Sequence, residues 1–248
     1  MAHLVLFSWL ALASALPGSA AQADAASALS CEQPLAAALP ADTATALGRI
    51  PDTSRRLLAL RGYLRAHDLP LRWSWSEQRI RDYPATPEYQ QAMAALAQVQ
   101  SRFAHDNPGY VLFVNTQVRS LDVQLERWNQ NASVASAASG LAAAAATACT
   151  AEPSSFASWL RAWQPAVQSN LAVPGLSPHG QGRAYDFQVQ AGAEIIAGTD
   201  SSRIEQDWRA GGWADKLALA IKQAGPAFKG PLSVPDEPWH YAYVPVSQ

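Results

Sequence analysis

The chain has 248 residues, with 18 Lys and Arg against 20 Asp and Glu, so that its formal net charge is −2. Hydrophobic residues make up 49% of the sequence, which allows a sizeable core in one large domain, or in one domain with an appendage, and excludes a wholly disordered chain. The near-neutral charge argues against a protein that binds nucleic acid through a basic surface.

The N-terminal segment, residues 1–23, has the pattern of a secretory signal peptide. Leu4 to Leu16 is an almost unbroken apolar run that is too short to span a bilayer, which requires about 20 residues. Ala21-Gln22-Ala23 follows with the A-x-A pattern of a signal-peptidase site. The segment before the run has neither Lys nor Arg, so a frayed apolar N-terminus is the alternative. We expect a bacterial protein that is periplasmic or secreted, with no membrane span in the mature chain.

Residues 24–87 are predicted to form an N-terminal helical region. Apolar residues at spacings of three and four continue from Thr53-Ser54 to Leu64, as in an amphipathic helix that Thr53 or Ser54 could cap. Thr86-Pro87-Glu88 begins the next helix, with proline at a position that suits the first helical turn. Asn107-Pro108-Gly109 ends it.

The second part of the chain, residues 88–248, mixes helices with short strands and is predicted to form the main domain. One helix is predicted to begin at residue 120. Further helices are predicted over residues 135–148 and 156–163 and within residues 208–224. The predicted strands cover residues 110–114, 184–190 and 239–244. Because the helices are grouped early and the strands come late and scattered, the pattern favours an α+β fold over a parallel βαβ sheet.

Cys31 and Cys149 are the two cysteines of the sequence. An even number of cysteines in an exported chain predicts one disulfide bond, because the compartment is oxidising. Two unpaired, buried thiols are the alternative. Neither residue has C-x-x-C spacing, which argues against a thioredoxin-like redox site.

Two histidines, His179 and His240, are candidates for metal chemistry. The other three lie in the predicted signal peptide or beside an aspartate at a predicted helix end, where a structural role is expected. Together with Asp186 the two histidines form a set of three ligands, the number that a catalytic zinc uses when a fourth position is left for water. Glu237 precedes His240 by three residues and can face that water without binding the metal. A purely structural role for the histidines is the alternative.

The spacing of these residues resembles that of a known family. Ser177-x-His179-x-x-Gly182-x-Ala184-x-Asp186, followed by Glu237-x-Trp239-His240, is similar to the pattern of the zinc D-alanyl-D-alanine carboxypeptidases. This family includes the VanY-type carboxypeptidases and the VanX-type dipeptidases, and its wider group includes the zinc domain of hedgehog proteins. Val118-Arg119-Ser120-x-x-x-Gln124 is similar to the family's Tyr-Arg-Ser…Gln, with Val118 in place of the tyrosine. The resemblance spans about residues 88–245.

The resemblance implies a small antiparallel sheet that carries a zinc site, with flanking helices and an N-terminal helical extension. It implies that His179, Asp186 and His240 bind zinc and that Glu237 is the general base for a zinc-activated water. Arg119, expected at the end of a strand Tyr110–Val118, would bind the substrate carboxylate or stabilise the oxyanion. Pairing of this arginine with an acid of the next helix, such as Asp122, is the alternative.

Four further residues are implied around the metal or the substrate: Ser177, Ser120, Gln124 and Trp239. Ser177 would hold the ligand loop, and Trp239 is expected to pack rather than to stack on substrate.

The implied function is that of an exported zinc metallopeptidase, a hydrolase that trims the stem peptides of cell-wall peptidoglycan at D-alanine. Carboxypeptidase activity is the first expectation, and endopeptidase or dipeptidase activity stays open. The alternative is a non-catalytic zinc domain that binds a cell-wall or protein partner, as in the hedgehog branch. The presence of Glu237 argues against that alternative.

Overall fold

A computed structural model describes residues 31–149 and 153–245 of the chain. The predicted signal peptide lies outside these residues. Within the described ranges, no helix is both long enough and apolar enough to cross a membrane.

Helices dominate the first two thirds of the described chain. Residues 31–37 are helical. The helices that follow, in chain order, are α1 (Ala41–Gly48), α2 (Thr53–Arg65), α3 (Leu69–Arg72), α4 (Glu77–Asp82), α5 (Pro87–Asp106), α6 (Leu121–Gln130), α7 (Ala132–Ala148) and α8 (Pro153–Ala162). The last helix, α9 (Trp213–Ala224), lies between strands of the C-terminal third.

Short helical turns connect several of these elements. Three are 3₁₀ turns, at Tyr83–Ala85, Pro178–Gln181 and Ser201–Arg203, and Ile204–Arg209 forms a π-helical turn. Trp208 belongs to that π-helical turn, so the α-helix predicted within residues 208–224 begins at Trp213.

Two helix starts show how local sequence sets the boundaries. Thr86 caps α5 as predicted, because its hydroxyl accepts a hydrogen bond from the Tyr89 N–H at 3.2 Å. The cap of α2 is Asp52, not Thr53 or Ser54. Its carboxylate precedes the first helical residue and accepts from the Arg55 N–H at 2.8 Å, in the third position of the helix, where a capping side chain reaches.

The strands form a small antiparallel sheet flanked by helices, which confirms the mixed helix-and-strand class. They are β1 (Val111–Val114), β2 (Ala184–Ala191), β3 (Glu194–Ala197), β4 (Phe228–Lys229) and β5 (His240–Tyr243). The order is β1-β2-β5-β4, and β3 also pairs with β2. Strand β1 ends at Val114, so Arg119 lies in an irregular segment after the strand and not at the end of a strand reaching Val118.

One hydrophobic core lies among the helices. Its fully buried members include Leu57 and Leu60 of α2, Trp128 of α6, Leu141 of α7 and Phe156 of α8. Burying one such side chain contributes on the order of 1.5–3 kcal/mol to the free energy of folding. This core is therefore built jointly by the predicted N-terminal helical region and by helices of the predicted main domain.

The Cys31–Cys149 disulfide lies at the edge of this core, with the two Cα atoms 5.9 Å apart. Cys31 begins the described chain, and Cys149 follows the last residue of α7. The predicted bridge is thus confirmed, and it ties the N-terminal region to the middle of the chain across 118 residues of sequence.

A second core lies between the sheet and helices α5 and α9. Leu96 and Phe103 of α5 and Leu217 of α9 pack against Phe187 of β2 and Trp208. Strand β2 alternates between two environments, since Tyr185 and Phe187 are buried in this core while Asp186 between them points to the opposite face. The helices thereby fix one face of β2 and leave the other face for the polar site.

Candidate metal centre

Three potential metal ligands converge where β2 meets β5. The ligand atoms of His179, Asp186 and His240 all lie within 4.8 Å of one another. His240 Nδ1 lies 2.9 Å from Asp186 Oδ1, and His179 Nε2 lies 3.3 Å from Asp186 Oδ2. The two ring nitrogens, His179 Nε2 and His240 Nδ1, are 3.4 Å apart. The structure therefore brings together the three residues that the sequence pattern selected.

Strand pairing and one turn position these side chains. Asp186 of β2 lies directly opposite His240 of β5 in the antiparallel register. Opposed residues project to the same face of a sheet, with Cβ atoms about 5 Å apart. His179 sits in the 3₁₀ turn before β2, and Gly182 follows with φ +60°, a left-handed conformation that glycine adopts without strain. That turn folds His179 back over the strand that carries Asp186.

The three donors match a metal site in type, and two of their three separations match the spacing of zinc ligands, while His240 Nδ1 and Asp186 Oδ1 lie closer, at 2.9 Å. Zinc bonds of about 2.0–2.1 Å at tetrahedral angles place neighbouring ligand atoms about 3.3–3.4 Å apart. The His179–His240 and His179–Asp186 separations of 3.4 and 3.3 Å match that value. Two imidazole nitrogens and one carboxylate oxygen are also a donor set that catalytic zinc sites use. The cluster could thus hold a metal ion and leave a further coordination position toward the cavity.

Glu237 lies beside the cluster and outside it. Its Oε2 is 3.6 Å from His240 Nδ1, and its side chain is only 15% exposed. Its backbone N–H donates to the Leu232 carbonyl at 3.0 Å, and its own carbonyl accepts from the His240 N–H at 3.1 Å. These backbone hydrogen bonds therefore hold Glu237 next to the three candidate ligands.

Arg119 lies on the other side of Asp186. Its guanidinium Nη2 is 3.8 Å from Asp186 Oδ2, and its backbone N–H donates to the His179 carbonyl at 3.0 Å. The acid of the following helix, Asp122, instead pairs with Arg49 at 2.8 Å. The arrangement thus favours an Arg119 side chain that faces the candidate metal site over one that pairs with Asp122 at the surface.

Gln124 holds the irregular segments around the cluster in place. Its side-chain N–H groups donate to the Ser74 hydroxyl at 2.7 Å and to the Arg119 carbonyl at 2.8 Å. Its side-chain carbonyl accepts from the Gly175 N–H at 2.9 Å. Because Gln124 is buried, these three bonds join α6 to the segment of Ser74 and to the two segments that carry Arg119 and His179.

The other three implied residues occupy distinct positions. Ser120 caps α6 by accepting from the Val123 N–H at 3.4 Å. Ser177 is buried and immediately precedes the turn that carries His179. Trp239 is buried against Trp208, with ring centroids 6.0 Å apart, and it also lines the cavity in front of the cluster.

The environment of the cluster shifts three pKa values in different directions. Burial raises the pKa of Glu237, and the nearby charge of Asp186 adds to that effect against the opposing influence of His240 and Arg119. Burial would also raise the pKa of Asp186, but hydrogen bonds from His179 and His240 outweigh it and hold that pKa well below 3.8. Burial lowers the pKa of His179, which keeps its imidazole in the neutral form that binds metals.

A cavity of about 450 Å³ opens in front of the three ligands. Besides the predicted site residues, it is lined by two arginines that sequence reasoning missed, Arg72 and Arg127, and by the apolar residues Leu232, Val234 and Pro235. Arg127 had a detectable signal, because it follows Gln124 by three residues on the predicted helix and so shares its side. Arg72 had none, since only the tertiary structure brings it to the cavity.

The segment that carries Arg72 is bonded directly to the ligand loop. The Ser74 N–H donates to the Gly175 carbonyl at 2.8 Å, and the Trp75 N–H donates to the Gly180 carbonyl at 2.9 Å. The Gln181 side chain donates to the carbonyls of residues 71 and 73, at 2.8 Å each. The predicted N-terminal helical region therefore forms part of the frame around the candidate metal centre.

Comparison of the chain with protein-family models, with curated proteins and with solved structures finds no match in any of the three.

Proposed function

We propose that this protein is an exported zinc peptidase of the D-alanyl-D-alanine carboxypeptidase type that acts on peptidoglycan stem peptides. The observation that carries the proposal is the convergence of His179, Asp186 and His240 to within 4.8 Å. Glu237, fixed 3.6 Å from His240 at the same cavity, supplies the base that a purely structural cluster would not need.

A zinc ion held by the three ligands would lower the pKa of a bound water toward about 7 and polarise the scissile carbonyl. Glu237 accepts a proton from the attacking water while the water oxygen bonds to the carbonyl carbon. The same carboxyl group then delivers that proton to the amine nitrogen as the C–N bond breaks.

Arg119 provides the second functional group of the proposal. Its guanidinium lies next to Asp186, where it can meet a substrate bound in the cavity. A guanidinium binds a carboxylate through two parallel hydrogen bonds, which suits recognition of a free C-terminus. From the same place it can stabilise negative charge that develops on the carbonyl oxygen.

Export is supported by two features of the chain. The Cys31–Cys149 disulfide is typical of proteins that fold in an oxidising compartment. The apolar run and the A-x-A pattern of residues 1–23 are typical of a cleaved signal peptide. Both fit an enzyme whose substrate lies outside the cytoplasm.

The test combines metal analysis with digestion of muropeptides. The wild-type protein is expected to bind about one zinc per chain and to release D-alanine, identified by product mass. His179→Ala should lose most of the zinc, whereas Glu237→Gln should keep the zinc and lose turnover. His105→Ala, at an exposed histidine outside the site, is the matched control and should change neither.

Each outcome separates one hypothesis from another. Full zinc occupancy in His179→Ala would contradict the ligand assignment. A Glu237→Gln variant with most of its activity would show that this residue is not the base. Zinc binding without turnover of any D-alanine-terminated peptide would favour the non-catalytic zinc domain instead.

A further inference from the structure

The cavity in front of the metal centre has a basic lining. Arg72, Arg119 and Arg127 line it, against the two carboxylates of Asp186 and Glu237. Arg119 already faces Asp186 at 3.8 Å. The three arginines therefore outnumber the two carboxylates of the cavity, and a bound divalent cation would increase its positive charge further.

Two of these arginines have no anionic partner within the part of the chain that the structure describes. Two acids of the surrounding segments pair elsewhere: Asp122 pairs with Arg49, and Asp186 is bonded by His179 and His240. Arg72 and Arg127 are both exposed at the rim, and no salt bridge joins either of them to a carboxylate of residues 31–149 or 153–245. Their charges are thus available to a ligand.

The position of Arg72 is built rather than incidental. It is the last residue of α3, and the residues on either side of it, Leu71 and Trp73, are both held by the Gln181 side chain. Ser74 is bonded to the Gly175 carbonyl and to Gln124, so the same network that supports the ligand loop also supports this segment. Arg72 is therefore held at the cavity by the structure that orients His179.

Arg127 approaches the cavity from a second element. It lies one helical turn beyond Gln124 on α6, the helix that begins directly after the segment of Arg119. The wall formed by Leu232, Val234 and Pro235 is apolar, and Val234 is 66% exposed. A ligand that fills the cavity thus meets both cationic and apolar side chains.

We propose that Arg72 and Arg127 form a subsite for a second anionic group of the substrate, separate from the carboxylate assigned to Arg119. The preferred substrate is accordingly a peptide that carries an acidic side chain in the residues before the scissile bond. The N-terminal helical region contributes to substrate choice through Arg72. This inference depends on the proposed peptidase function for the identity of the ligand, but its charge preference is measurable without turnover.

The test compares two acetylated tetrapeptides that both end in D-alanyl-D-alanine and carry either two Glu or two Gln residues before it. The zinc-loaded wild type should show a kcat/KM roughly tenfold higher for the Glu peptide, the order expected for two charge contacts at a rim. In the double variant Arg72→Gln/Arg127→Gln this ratio should fall to about twofold or less, mainly through KM. The preference should also shrink at high salt, because exposed charges are screened.

Arg81→Gln is the matched control, since it removes one exposed arginine of the same N-terminal region outside the cavity. It should leave both kcat/KM values within about twofold of wild type. Zinc content should be unchanged in all variants, which separates loss of the subsite from loss of the metal centre. A wild type without preference, or a double variant that keeps it, would overturn the subsite.

The two proposals fail in different ways. If the wild type hydrolyses neither peptide, the peptidase proposal fails, and the subsite is then judged by calorimetric binding of the same two peptides. Tighter binding of the Glu peptide that disappears in the double variant would support an anion-binding cavity without peptidase activity. Equal binding of the two peptides would overturn the subsite as well.

Discussion

Gln124→Leu is the substitution that best tests how the site is held together. The amide makes three hydrogen bonds, to the Ser74 hydroxyl, the Arg119 carbonyl and the Gly175 N–H, with distances of 2.7, 2.8 and 2.9 Å. Both Gln124 and Ser74 are buried, so water cannot replace the lost partner without opening the structure. Leucine has a similar volume and makes none of these bonds.

The expected loss follows from the groups left without a partner. Each buried polar group that loses its hydrogen bond costs about 1–3 kcal/mol. Three such groups destabilise the protein by on the order of 3–9 kcal/mol, and burial of the leucine side chain offsets about 1 kcal/mol of this. Even the lower end of the net change, about 2 kcal/mol, corresponds to a decrease in Tm of roughly 4–8 °C for a chain of this size.

The assay is thermal and urea unfolding followed by circular dichroism. Gln130→Leu is the matched control, because Gln130 is exposed at the end of the same helix, and its free energy of unfolding should change by less than about 0.5 kcal/mol. A Gln124→Leu protein that loses less than about 1 kcal/mol, or no more than the control, would refute the reasoning. The three bonds would then contribute little to the stability of the site.

Three further predictions concern catalysis, the disulfide and pH. Arg119→Lys should fold normally but lose much of its kcat/KM on peptides with a free C-terminus, because lysine cannot form two parallel hydrogen bonds with a carboxylate. The variant should also discriminate less against peptides with an amidated C-terminus. Unchanged kinetics on both kinds of peptide would assign Arg119 a structural role. Replacing Cys31 and Cys149 by serine should lower the free energy of unfolding by up to about 4–5 kcal/mol, because the bridge closes a loop of more than 100 residues; unfolding at an unchanged urea concentration would contradict this. In the metal-free protein, the raised pKa of Glu237 means that its contribution to stability is complete below its ordinary pKa of 4.5 and is lost as pH rises through the folded-state pKa. Glu237→Gln should therefore gain stability relative to wild type between pH 4 and pH 7.5 in urea unfolding, and a constant difference would show that burial does not disfavour the charged carboxylate.

Local sequence predicts most of the helices and strands and the three candidate metal ligands. The cap at Thr86, the stop at Asn107 and the periodicity of α5 define that helix within a residue, because they act over one or two turns. The spacing of His179, Asp186 and His240 indicated a ligand set before their distances were known. The pattern could do so because ligand type and order along the chain are properties of the sequence itself.

The tertiary structure decided how those residues meet and what surrounds them. The register that places Asp186 opposite His240 joins strands more than 50 residues apart, and no local signal specifies such a pairing. Arg72 reaches the cavity only because its segment is hydrogen-bonded to a loop more than 100 residues further along. A glutamine in an amphipathic helix such as α6 also gives no sign that it will be buried, since its three partners come from separate parts of the chain. Sequence alone therefore predicted which side chains would converge, and the long-range contacts determined the frame around them.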